Sequence, residues 1–145
     1  MSDKTSIQRD HKDTIFHDLF SDKENALSLY NALNNTAYPD TEDMEVVTLS
    51  DAIHIHRKND VSILFQDRLE LWEHQSTKNG NMPLRDLLYY AREMDGILAT
   101  RGEDLYEKRI LKIPAPDHYV FYNGLAAVPV RQDLHLSDAF AIPIS

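Results

Sequence analysis

Polar residues fill the chain to about position 11, and a helical pattern begins at Asp13. Ile15, Phe16, Leu19 and Phe20 recur at helical spacing, and Leu27, Leu29, Tyr30 and Leu33 resume it further on. Ser21 followed by Glu24 has the spacing of a capping box, so "SDKENA" is read as the boundary between two helices. The Asn, Pro and Asp content of "NNTAYPDTED" predicts a loop.

The period then changes. "EVVTL" (45–49) and "AIHIH" (52–56) carry β-branched, alternating residues. "DVSILFQDRLELWEHQS" holds two further runs, with a turn placed near Gln66 and Asp67 despite the lack of an Asn-Gly pair. "STKNGNMP" is a loop, and Pro83 suits the first turn of a helix. Leu84, Leu87, Leu88, Ala91, Met94, Ile97 and Leu98 follow at helical spacing, and "EDLYEKRI" is read as a shorter helical piece. "HYVFYNG" reads as a strand, and the tail from "DLHLSDAF" onward as irregular.

The order is helix, a run of strands, helix, strand. This predicts an α/β or α+β fold, a mixed sheet of about four strands flanked by helices. Residues 1–11 are read as a flexible N-terminus and 12–145 as a single domain, since no linker or internal repeat divides the chain.

Alternation along "RLELWEHQ" puts Leu69, Leu71, Glu73 and Gln75 on one face and Arg68, Glu70, Trp72 and His74 on the other. If the preceding run pairs with it in antiparallel fashion, Asp60 comes level with Glu73 and Gln75. Two carboxylates at one sheet end repel each other unless a cation lies between them. Hard oxygen ligands of this kind suit Mg²⁺, or Mn²⁺ in its place. A metal held there can activate water and polarise a phosphoryl oxygen.

The net charge of −9 disfavours broad electrostatic binding to nucleic acid, but a bound cation reverses the local sign at a carboxylate site. The absence of cysteine excludes a disulfide scaffold and thiol catalysis. "MSDKTSIQRDHKD" lacks the apolar core of a signal peptide, and no apolar run is long enough to span a bilayer, so a cytoplasmic protein without a membrane segment is expected.

"KNDVSILFQDRLELWEHQSTKNGNMPLRDLLYY" resembles the Rpn-like nuclease and transposase families of the PD-(D/E)XK superfamily. "DTIFHDLFSDKENALSLYNALNNTAYPD", "HYVFYNG" and "LHLSDAF" carry the resemblance from about Asp13 to Phe140. It implies a restriction-endonuclease-like core and Mg²⁺-dependent hydrolysis of DNA phosphodiesters. Asp60 then matches the superfamily's aspartate, Glu73 its second acid, and Gln75 the place often held by lysine. Asp13 matches an acidic position at the start of the first helix, and His74 would offer its main-chain carbonyl to the metal. Glutamine supplies a neutral dipole where lysine supplies charge, which weakens the case for vigorous catalysis. Family members commonly run longer, so by the resemblance this chain is either truncated at its C-terminus or a minimal core. The alternative is a catalytically silent binding or regulatory module that keeps the fold, in which self-association as a homodimer has a place.

Other residues carry less. Arg85 and Tyr89 lie one helical turn apart, where they could touch phosphate, but a solvated helix face is the preferred reading. His54 and His56 share a strand face without a third ligand at a suggestive spacing. Asn79 and Asn81 are assigned to turn and capping chemistry, and Trp72 to the core.

Overall fold

The computed structural model describes residues 15–47 and 60–143. The 52–56 run, with His54 and His56, lies outside the described residues, as do Asp13 and the N-terminal stretch. Residues 15–21 are helical (α1), followed by α2 (Lys23–Asn34), β1 (Glu45–Val47), β2 (Val61–Phe65) and β3 (Arg68–Gln75). Then come α3 (Met82–Thr100), β4 (Ala115–Tyr122) and a short 3₁₀ turn at Leu136–Ala139. The four strands form one mixed sheet in the order β1-β2-β3-β4. β1, β2 and β3 are antiparallel neighbours, and β4 runs parallel to β3. A parallel pair needs a crossover, and α3 with its following loop supplies it. No helix among the described residues is long and apolar enough to cross a membrane.

The break between α1 and α2 falls where it was expected, but Ser21 is not the cap. Asp22 caps α2 by accepting from the Asn25 amide at 3.1 Å, while the Ser21 hydroxyl donates back to the His17 carbonyl at 2.6 Å. A carboxylate satisfies an orphan amide and also favours the positive end of the helix dipole. Asn35 ends α2 in the left-handed region, with φ 52°.

The apolar residues of α1 and α2 pack on one face of the sheet. Phe16, Ala26, Leu27, Tyr30 and Met44 form one buried cluster with Val61, Ile63, Phe65 and Trp72. Each large side chain buried this way stabilises the fold by roughly 1.5–3 kcal/mol. Glu70 lies within this face, fully buried, and both of its oxygens are used: Asn34 Nδ2 donates to one at 2.5 Å and Trp72 Nε1 to the other at 2.8 Å.

α3 covers the opposite face and begins as Pro83 suggested. Its buried residues, however, are Met82, Asp86, Tyr89, Glu93 and Met94, while Leu84, Leu87 and Leu88 are exposed. The leucines share helical spacing but not the face that meets the sheet. The polar side chains beneath α3 select the residues that can answer them.

"EDLYEKRI" is not a helix but a series of turns. Gly102, at φ 65°, closes α3: its amide donates to the Ala99 carbonyl, and the Glu103 amide to that of Leu98. Asp104 Oδ1 then accepts from the Tyr106 amide at 2.9 Å, and Arg109 pairs with Glu103 and Glu107. Leu105, Tyr106 and Ile110 are largely exposed among the described residues, so a helix here would bury little of its apolar face.

The hairpin between β2 and β3 turns at Gln66 and Asp67, which have φ of 52° and 57°. Two positive φ values in a two-residue loop make a type I′ turn, normally built from Asn and Gly. The double variant Gln66→Asn, Asp67→Gly should therefore gain about 1 kcal/mol, since each non-glycine residue in that region costs roughly 1–2 kcal/mol. Urea unfolding should show the midpoint rise with an unchanged slope.

Candidate functional site

The two faces of the β2–β3 hairpin differ in chemistry. Ser62 pairs with Leu71 and Val61 with Trp72, so the next rung outward sets Asp60 across from Glu73 on the face beneath α3. Gln75 follows on that face, two residues beyond Glu73. Asp60, Glu73 and Gln75 are only 6%, 3% and 7% exposed. The structure thus brings together three of the residues read from the sequence. His74 points to the other face, where its ring stacks on Phe16 with centroids 5.1 Å apart. Any contribution it makes to a site on the α3 face is through its main chain.

Glu73 is the centre of the arrangement. Its Oε1 accepts from Gln75 Nε2 at 2.9 Å and from Arg85 Nη2 at 2.9 Å. Its Oε2 is buried and has no hydrogen-bond partner among the described residues. Glu70, two residues earlier on the same strand, has a partner for each oxygen. These two glutamates of β3 therefore differ in kind: Glu70 is satisfied within the core, and Glu73 has one oxygen without a donor among the described residues. A buried carboxylate oxygen without a donor is costly unless something positive meets it.

Arg85 and Tyr89 are not a solvated face. α3 turns both inward, and Arg85 Nη2 also donates to the Tyr89 hydroxyl at 3.1 Å. Burial works against the Arg85 charge, but Tyr89, Glu73 and Asp60 outweigh it and hold the guanidinium above its ordinary range. In the sequence, Arg85 sits among the leucines of an amphipathic helix, where a cation ordinarily faces water. The buried side of that helix was set by what lies beneath it.

Three further groups went unrecognised in the sequence. Asp86 is buried, and desolvation with the nearby Glu73 charge pushes its carboxyl up to about 7. Desolvation also raises Glu93 to about 7, against the lowering effect of the hydroxyl bond from Ser62. His118, opposite Leu71 on β4, is held down to about 4 by burial. Its Nδ1 lies 4.0 Å from Asp86 Oδ2, and burial lowers the imidazole while it raises the carboxyl beside it. Asp86 and His118 line an open cleft of about 430 Å³ with Met82, Pro83 and Tyr90, next to the Asp60–Glu73 rung. The spacing of Asp86, Tyr89 and Glu93 marks one side of α3, but only the fold turns that side inward.

Among the described residues no group of three His, Cys, Asp or Glu side chains is arranged to hold a metal ion. The pair that could offer carboxylate oxygens to a cation is Asp60 and Glu73, where Glu73 Oε2 has no hydrogen-bond partner among the described residues. Two carboxylates suffice for Mg²⁺, which keeps several of its waters. Asn79 makes the expected turn, its side chain accepting from the Asn81 amide at 2.9 Å, while Asn81 holds the N-cap position of α3 without a side-chain capping bond.

No family model matches the chain, and no curated protein or solved structure matches it.

Glu93 offers a direct test of the polar interior. Its carboxyl is raised in the folded state, so the folded protein holds the proton more tightly between about pH 4.5 and about pH 7. Its contribution to stability is complete below that window and is lost as pH rises through about 7. His118 acts with the opposite sign, adding stability as pH rises from about 4 to about 6.5. Glu93→Gln keeps an acceptor for Ser62 and removes only the first effect. Relative to wild type, the variant should gain about 3 kcal/mol between about pH 4 and pH 8, at about 1.4 kcal/mol for each tenfold change in proton affinity. Denaturant unfolding at the two pH values measures the difference.

Proposed function

We propose that this chain is a divalent-metal-dependent DNA endonuclease with a restriction-endonuclease-like core of the Rpn-like type. The observation that carries the reading is the Asp60–Glu73 rung, buried beneath α3 with Glu73 Oε2 left without a partner. The strand order supports it as well, with an antiparallel β1–β2–β3 meander and a helical crossover to a parallel β4. In this reading Asp60 and Glu73 hold Mg²⁺ or Mn²⁺, with the His74 main-chain carbonyl as a further ligand. When bound, the cation neutralises charge on a phosphoryl oxygen and promotes ionisation of water. Gln75 fixes the Glu73 rotamer through its 2.9 Å hydrogen bond and keeps its carbonyl oxygen to orient water. Asp13, which the resemblance matches to an acidic position, lies outside the described residues.

A second reading is a catalytically silent module, and one observation favours it: Arg85 already neutralises Glu73. Such a module would self-associate through the exposed leucines of α3.

Plasmid cleavage with Mg²⁺ or Mn²⁺ decides between them. Wild type should nick or linearise DNA, and Asp60→Ala and Glu73→Ala should each lower the rate by at least about a hundredfold, the loss expected when ligands of a metal are removed. Equal cleavage by all three proteins would refute the assignment. No cleavage by wild type, with no Mn²⁺ heat in calorimetry, would establish the silent module.

A further inference from the structure

We infer that Arg85 is the phosphate-binding cation of this site, parked on Glu73 until a divalent metal takes its place. The inference rests on the metal-site reading above and deepens it. It begins from where the charges stand. Arg85 is mostly enclosed, at 18% side-chain exposure, and its ion pair to Glu73 is 2.9 Å long. Asp60 and Glu73 both act on its charge, and Glu73 also acts on the neighbouring Asp86. The guanidinium thus supplies the positive charge that two carboxylates on one rung require.

The pairing is incomplete in a way that points to a ligand. Guanidinium presents five N–H donors in a planar fork that matches carboxylate or phosphate through two parallel bonds. Here one nitrogen, Nη2, is shared between Glu73 Oε1 and the Tyr89 hydroxyl. The contact made by Nη1 is to Met82 Sδ at 3.3 Å, and a thioether is a weak acceptor. Among the described residues the fork therefore meets carboxylate through one nitrogen alone and makes no two-bond pair. On the acceptor side, Glu73 Oε2 is buried and empty-handed. Both partners of the ion pair keep unspent capacity, one for an anion and the other for a cation.

A metal between Asp60 and Glu73 changes the balance. A divalent ion beside a guanidinium is a like-charge pair, and poor solvation strengthens the repulsion. With a cation bound, Glu73 would share its charge with that ion and hold Arg85 less well. The arginine side chain is long, and part of it already reaches solvent. Released from Glu73, its fork faces the phosphate that the metal attracts. A cation on α3 thereby supplies the charge that Gln75, a neutral amide, lacks.

Isothermal titration with Mn²⁺ and binding of a short DNA duplex in Ca²⁺ test the exchange on the full chain. Arg85→Met removes the competing charge at similar volume. It should bind Mn²⁺ about tenfold more tightly than wild type, a shift of about 1.4 kcal/mol, and bind the duplex at least tenfold more weakly. Mn²⁺ should also raise the melting temperature of the variant more than that of wild type, as tighter binding to the folded state requires. Tyr89→Phe removes one partner of Nη2 and leaves the rest of the packing in place. It should show a smaller gain in Mn²⁺ affinity, and it keeps the test open if Arg85→Met does not fold. Unchanged or weaker Mn²⁺ binding in both variants would overturn the exchange while leaving the metal site standing. Tighter Mn²⁺ binding with unchanged duplex affinity would overturn the phosphate role. No Mn²⁺ binding by wild type or by any variant would overturn the metal-site reading and the exchange together.

Discussion

Carboxylates buried between the sheet and α3 must find positive charge or protons, and the arrangement of the α3 side follows from that constraint. Glu73 meets it with Arg85 and Gln75, and Glu93 with the Ser62 hydroxyl and a raised proton affinity. Asp86 meets it by keeping its proton to about neutral pH. These demands explain the orientation of the helix. Turning Leu84, Leu87 and Leu88 inward would bury more apolar surface, but it would leave Glu73 without Arg85. A buried charge stripped of its partner costs roughly 3–5 kcal/mol, more than the roughly 1.5–3 kcal/mol gained by burying one leucine and about what two would give.

The opposite face of the same strands obeys a different rule. There α1 and α2 bring Phe16, Leu27 and Tyr30 against Val61, Ile63 and Trp72. Glu70, the fully buried carboxylate in that layer, is closed off by Asn34 and Trp72. β3 therefore separates a structural glutamate from a candidate functional one within four residues of chain, simply because successive side chains point opposite ways. Gly124 helps hold the end of this strand pair together. A Cβ there would fall 2.2 Å from the Ser76 carbonyl oxygen, beside the hydrogen bond from the Asn123 amide to the Gln75 carbonyl.

Much of the architecture was legible in the chain. Period-two alternation identified β2 and β3, and it placed Glu73 and Gln75 together on one face. The turn at Gln66 and Asp67 was legible by position but not by residue type, because neither is a usual type I′ residue. Pro83 marked the start of α3. Two local expectations failed for physical reasons. Asp22 outcompetes Ser21 as a cap, and the exposed "EDLYEKRI" has no surface on which to rest a helix.

Local periodicity and residue chemistry, carried by the chain itself, determined the elements, their order and the Asp60–Glu73–Gln75 rung once an antiparallel pairing was assumed. Which side of α3 is buried was a matter for the tertiary structure alone, because helical spacing gives relative positions of side chains but not the rotation of the helix against its sheet. That rotation brings Arg85, Asp86, Tyr89 and Glu93 inward and leaves the leucines outside. The charge balance around Glu73 is therefore a property of packed elements and not of any one segment.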